Sequence, residues 1–158
     1  MRGGMTGPQP RPQHGSTTGT DFALRLTATV FAAAFAVHGI DHLRRGLDFE
    51  STPIFVIGTI QTLLVVFAVV LVATRSRWAP LAAVVVGTAN AAGFLFQHVL
   101  PAWFGSLSDS FVHAPPDRHV TALSWFVALL DIFAAIAFAI AGGVALRGRN
   151  AFEGEVNG

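Results

Sequence analysis

The sequence predicts an all-α protein, a four-helix transmembrane bundle with both termini in the cytoplasm. Three observations predict it. Just over half of the 158 residues are hydrophobic (53%) and only 12% are charged, a balance that belongs to membrane proteins and not to soluble domains. Four apolar segments run over about 22–43, 53–73, 79–100 and 120–146, and each approaches or exceeds the ~20 residues a helix needs to cross a ~30 Å hydrocarbon core. The arginines are distributed unevenly about those segments.

The chain divides into a tail over 1–20, a transmembrane domain over 21–148 and a C-terminal tail over 149–158. The first stretch is rich in Gly, Pro, Thr and Gln and has no hydrophobic period, so it is expected to be disordered. The first apolar segment can also be read as a cleaved signal peptide, since Ala32–Ala36 within it offers small residues for cleavage. The run is long for a signal, however, and cleavage there would leave His38 at a frayed terminus. A membrane-spanning helix is the better reading. Short links follow helices 1 and 2, so neighbouring helices should pack antiparallel. Ala83, Gly87 and Asn90 share one side of helix 3. Ser124, Ala128, Asp131, Ala135 and Gly142 share one side of helix 4. Small residues in such stripes let helix backbones approach in lipid.

Orientation follows from arginine placement, because cytoplasmic loops carry the excess of positive charge. Arg2, Arg11 and Arg25 precede or enter helix 1, Arg75 and Arg77 lie between helices 2 and 3, and Arg147 and Arg149 follow helix 4. The other side holds only Arg44, Arg45 and Arg118. Trp78, Trp103 and Trp125 fall near helix ends, as an interfacial aromatic belt requires. The chain is therefore expected to be a multi-pass protein of the cell membrane with the bilayer as its first partner.

Composition excludes several classes. There is no cysteine, hence no disulfide, thiolate metal site or thiol redox chemistry. A net charge of +1 with scattered arginines leaves no nucleic-acid footprint.

Polar side chains fall in one half of the spans. At 1.5 Å rise per residue, His38 lies roughly 7 Å in from the outer end, Gln97 and His98 roughly 3–5 Å, Gln61 about 12 Å, and Asn90 and Asp131 about 15 Å. Gln61, Asn90 and Asp131 thus form a midplane layer drawn from three helices. Above it sit His38, Asp41, His42, Gln97 and His98. The inner half offers almost no polar side chain. A proton or ion path needs such groups across the whole span, so the pattern predicts an outward-opening pocket and not a channel through one protomer.

His38, Asp41 and His42 lie at i, i+3 and i+4 on one helix face. Imidazoles one turn apart are a common metal-ligand pair, and a carboxylate can be a third ligand or can orient a ring. His98 on helix 3 is the natural fourth partner. His38 or His42 with His98 can also be read as axial ligands of a b-type haem. The plainer alternative is a helix end in the headgroup region with Asp41 paired to Arg45. The spacing H-x-x-D-H is near the H-x-x-E-H of zinc peptidases, but the acid is the shorter Asp and no soluble catalytic domain surrounds it. The H-E-x-x-H motif is absent. No catalytic residue is assigned. Asp131, a carboxylate near the bilayer centre, is expected either to join helices through Asn90 and Gln61 or to serve a ligand or proton. His113 and His119 in the outer loop are expected to face solvent or to cover the pocket.

Ala23-Leu24-Arg25-Leu26, the small-residue run after it, and His38-Gly39 near the end of helix 1 resemble the opening of DoxX-like membrane proteins. The helix 2–helix 3 pair joined by Thr74-Arg75-Ser76-Arg77 is similar in layout, and the likeness covers residues 22–100. The resemblance implies a four-helix fold and a quinone-linked or oxidative-stress role. Asp41-His42, the 101–119 loop and Asp131 lie outside it. The leading expectation is a membrane protein in a redox-accessory role, with a pocket that holds a metal, a haem or a quinone-type headgroup on His38, Asp41, His42 and His98. Gln61, Gln97, Asn90 and Asp131 would complete the pocket. The alternatives are a non-catalytic subunit or assembly factor of a membrane-protein complex, and an oligomeric small-solute transporter.

Overall fold

The computed structural model describes residues 15–46, 51–103 and 105–156. It is an all-α bundle of four helices: α1 (Gly15–Arg45), α2 (Thr52–Ala73), α3 (Ala79–Phe94) and α4 (Ala122–Val156). All four are long and apolar enough to cross a membrane. The middle of each helix matches the apolar segment expected there, but the ends differ. α1 begins at Gly15, inside the stretch expected as a tail; residues 1–14 lie outside the described residues. α4 runs on to Val156, through most of the expected C-terminal tail. Nothing in these flanks breaks a helix, since proline is absent after Pro116.

Local chemistry sets the inner boundaries. The Ser51 side chain caps α2 by accepting from the Ile54 N–H, and Pro53 occupies the first turn, where a missing N–H costs nothing. The other end of α2 closes in a Schellman motif. Ser76 N–H donates to the Leu71 carbonyl at 2.9 Å and Arg75 N–H to Val72 at 3.1 Å, with Arg75 left-handed at φ 55°. Pro80 then opens α3. α3 does not end as a regular helix. Leu95–Val99 widens into a π-turn, closed by Leu100 N–H to the Leu95 carbonyl at 3.0 Å, and stops before Pro101 as the residue preceding proline turns extended. Such π-turns rotate the side chains they carry and are frequent at functional sites. This one carries Gln97 and His98.

The expected small-residue stripes are where α3 meets α4. A Cβ on Gly87 would stand 2.6 Å from the Ala135 carbonyl oxygen, and one on Gly142 would stand 2.6 Å from that of Pro80. Both contacts are with backbone, so the two helices touch along these glycines. Ala83, Ala128, Asp131, Ala135 and Ser124 are all fully buried. α2 lies to one side, against α1 and α3, and buries only Ile54, Val65, Ala68 and Val72. Its remaining surface, including Phe55, Ile60, Leu63 and Phe67, is exposed and apolar, as a lipid-facing helix requires. Away from the histidines the core consists of Leu24, Ala28, Phe31, Ala68, Phe138 and their neighbours. Phe31 stacks on Phe138 with centroids 5.4 Å apart.

Candidate metal site and its cavity

Three of the four expected metal-site residues converge. The candidate ligand nitrogens of His38, His42 and His98 lie within 4.8 Å of one another. His38 and His42 are one turn apart on α1, which puts both rings on one face. The π-turn brings His98 to them from α3, with ring centroids 4.8 Å from His38 and 5.4 Å from His42. Phe94 packs on His38 at 4.5 Å, and Phe111 from the α3–α4 loop covers His98 at 4.7 Å. The cover is thus Phe111, and not His113 or His119, which are both exposed.

Each ring is held by a specific partner. His98 Nδ1 donates to the backbone carbonyl of Asp109 at 3.1 Å, which leaves Nε2 as the nitrogen with a lone pair. Arg45 lies 3.2 Å from His42 Nδ1. Arginine only donates, so in a neutral ring the proton of His42 sits on Nε2. That N–H points at His38 Nε2, 2.9 Å away. The proton of His38 is then on Nδ1, which is buried and has no hydrogen-bond partner among the described residues. A buried orphan of this kind costs about 1–3 kcal/mol.

Asp41 is placed differently from expectation. Its carboxylate meets Arg44 at 2.8 Å and Arg45 at 3.3 Å and does not join the imidazole group. Arg44 and Arg45, one turn away, hold it instead. The Asp41–Arg45 pair anticipated as the plainer alternative therefore exists beside the histidine cluster. Arg45 is also held by Asp109 at 2.6 Å, with Arg118 behind it at 3.6 Å. Arg45, Asp41 and Asp109 are each at least 95% buried. Arg44 ties the same region to the start of α4 through the His119 carbonyl (3.1 Å) and the Ser124 hydroxyl (3.0 Å).

Gln61, Asn90 and Asp131, from three helices, also come together. Gln61 Nε2 donates to Asn90 Oδ1 at 2.6 Å, and Asn90 Nδ2 donates to Asp131 Oδ2 at 3.0 Å. Asp131 is fully buried, with Oδ1 unpartnered among the described residues. A cavity of about 450 Å³ lies between α1, α2 and the end of α3, lined by His38, His42, His98, Gln61 and Gln97 with Phe35, Phe55 and Phe94 among its apolar walls. Gln61 and Gln97 thus reach the cavity. Asn90 and Asp131 do not line it and act on it only through Gln61.

The residue that sequence reading missed is Asp109. Its one signal was indirect: Arg44 and Arg45 stand on the side where arginine is scarce, and buried cations need acids. Comparison with family models, curated proteins and solved structures returns no match for this chain.

Proposed function

We propose that this is a protein of the cell membrane, both termini cytoplasmic, that holds one transition-metal ion on His38, His42 and His98. The observation that carries the reading is the convergence of three imidazoles from two helices, with candidate ligand nitrogens within 4.8 Å, at the wall of a cavity. Three imidazoles with a fourth position open to ligand is the donor set of reactive sites, whereas structural sites are closed by four protein ligands. Imidazole suits zinc, copper, iron and nickel. The Asp109 carbonyl on His98 Nδ1 is the outer-shell contact that orients a ligating ring.

Ligation through Nε2 requires the proton of His42 to move to Nδ1, where it meets Arg45. Arg45 would then turn from His42 toward Asp41 Oδ2, already 3.3 Å from its Nε. Both atoms lack a hydrogen-bond partner among the described residues. A single ion fits better than haem. Bis-imidazole haem needs a flat macrocycle between its two rings, and here the rings are in contact. A redox-active ion would give the accessory role that the DoxX-like resemblance implies.

The test is metal binding. Purified protein, loaded with zinc or copper and desalted, should retain about one ion per chain by elemental analysis. His42→Ala combined with His98→Ala should abolish it while the protein still elutes as a folded species. Equal retention by wild type and double variant would end the reading. Ion binding should also raise the melting temperature, by about 2.7 kcal/mol of stability at a hundred-fold excess over Kd, and a chelator should reverse the gain.

A further inference from the structure

Two contacts fix the register of the seam between α1 and α4. Phe31 of α1 stacks on Phe138 of α4. Arg44, near the end of α1, donates to the Ser124 hydroxyl, near the start of α4. Seven residues make two helical turns and return to nearly the same face. Two turns from Phe31 toward Arg44 is His38, and two turns from Phe138 toward Ser124 is Asp131. The helices run in opposite directions, so both steps lead the same way, about 10 Å along the seam. His38 and Asp131 therefore share one layer, between the phenylalanine pair and the Arg44–Ser124 contact.

Both residues are buried, at 3% and 0% exposure. Four buried side-chain atoms lack a hydrogen-bond partner among the described residues. Asp41 Oδ2 and Arg45 Nε are two of them and face each other at 3.3 Å. The other two are His38 Nδ1 and Asp131 Oδ1, and they are complementary. The hydrogen bonds of the histidine cluster make His38 Nδ1 a donor. Asn90 occupies Asp131 Oδ2 and leaves Oδ1 as an acceptor. One turn away the seam carries methyl groups, Ala34 on α1 with Ala128 and Ala135 on α4, all buried. A polar gap flanked by small side chains suits a buried water, which needs two to four polar partners.

We propose that one buried water joins His38 Nδ1 to Asp131 Oδ1, and that Asp131 is thereby a positioning residue for His38. The water accepts from the imidazole N–H and donates to the carboxylate. The link holds the proton on Nδ1 and keeps Nε2 free. A ligating histidine commonly has a carboxylate, carbonyl or water behind it in this role. His98 has the Asp109 carbonyl; His38 has Asp131 through the water. One oxygen of Asp131 then serves Asn90 and the other serves His38. The purpose of the link rests on the proposed metal centre, but the link itself belongs to the metal-free protein and is measured there.

The experiment uses the full chain with isotope-labelled histidine in nanodiscs, and reads the NMR signal of the His38 ring N–H, assigned with His38→Gln. The test variant is Asp131→Asn. It keeps an oxygen for the Asn90 amide, and must then turn its own NH2 toward His38. In metal-free protein this variant should shift the His38 signal and speed its exchange with water about five- to ten-fold, the worth of one hydrogen bond. The His98 ring signal, held by the Asp109 carbonyl, should stay in place. Zinc should then bind Asp131→Asn about ten- to a hundred-fold more weakly than wild type. An unchanged His38 signal overturns the proposal, whatever the metal result. Equal movement of His38 and His98 would mean general loosening and overturns it too, as does equal zinc affinity in wild type and Asp131→Asn. If zinc fails to bind wild type but only the His38 signal responds to Asp131→Asn, the metal centre is lost and the His38–Asp131 link stands.

Discussion

The two halves of the bundle are built on different principles. In the half that holds Gly142, Ala68 and Phe138, helices meet through small side chains and close backbone contact, and nothing but shape specifies the fit. In the half that holds the histidines, Arg45, Asp109 and Asp41 form a buried ion cluster and three imidazoles face a cavity. Packing in lipid gains little from hydrophobic burial and relies on close approach. Buried ions add cost and not stability unless paired. The first half therefore holds the structure, and the second retains polar groups that a scaffold alone would not need.

The largest effect should come from breaking the ion cluster on one side. Asp109→Ala leaves Arg45 buried with Asp41 as its remaining acid and removes the carboxylate facing Arg118. Removal of one partner of a buried pair costs about 3–5 kcal/mol, so thermal unfolding in detergent should shift down sharply. Arg45→Met with Asp109→Leu should cost far less than Asp109→Ala alone, because both charges leave together. An additive double variant would show that the cluster does not act as a unit.

The shape-specified half breaks through volume. Gly87→Ala and Gly142→Ala each place a methyl 2.6 Å from a backbone oxygen. Backbone cannot give way like a flexible side chain, and forced overpacking costs about 1–3 kcal/mol. Both variants should lower the melting temperature, and Gly142→Ala should do so without changing metal binding, since it lies far along α4 from the histidines. A loss of metal in Gly142→Ala would mean that the two halves are coupled.

The same contrast explains what could be read in the sequence. The four spans were legible because length and apolarity are local properties. The convergence of His38, His42 and His98, and of Gln61, Asn90 and Asp131, followed from depth along antiparallel helices. Asp41 was legible in its plainer reading only: helix spacing allows it either the histidines or Arg45, and with Arg44 also one turn away the arginines take it. Asp109 was hidden because it lies in a loop, where no periodicity marks burial, and its contacts to Arg45 and His98 exist only once the loop folds back on α1 and α3. The π-turn was equally silent, since Leu95–Val99 has the composition of an ordinary helix.

Asp131 lies between the two halves, and a pair of substitutions separates its structural role from its polarity. Asp131→Leu leaves the Asn90 amide without its acceptor, at a cost of about 1–3 kcal/mol. Asp131→Asn keeps an acceptor oxygen and should cost less. The pair is read by thermal unfolding. If Asn is as harmful as Leu, charge matters at this position beyond the hydrogen bond to Asn90.

The smallest effect should have the opposite sign. Gly39 and Gly58 lie in helices, where glycine is about 0.8–1.0 kcal/mol less favourable than alanine, and a Cβ at either meets open space. Gly39→Ala and Gly58→Ala should therefore leave the melting temperature unchanged or raise it slightly, whereas Gly87→Ala lowers it. One substitution then has two signs in one bundle, set by whether the glycine faces a backbone or a cavity. A glycine against backbone is explained by packing. At Gly39 and Gly58, which line the cavity, glycine carries a stability cost that packing does not explain. Should Gly39→Ala or Gly58→Ala destabilise as much as Gly87→Ala, the cleft between α1 and α2 is closed in the membrane, and the functional distinction between the halves fails with it.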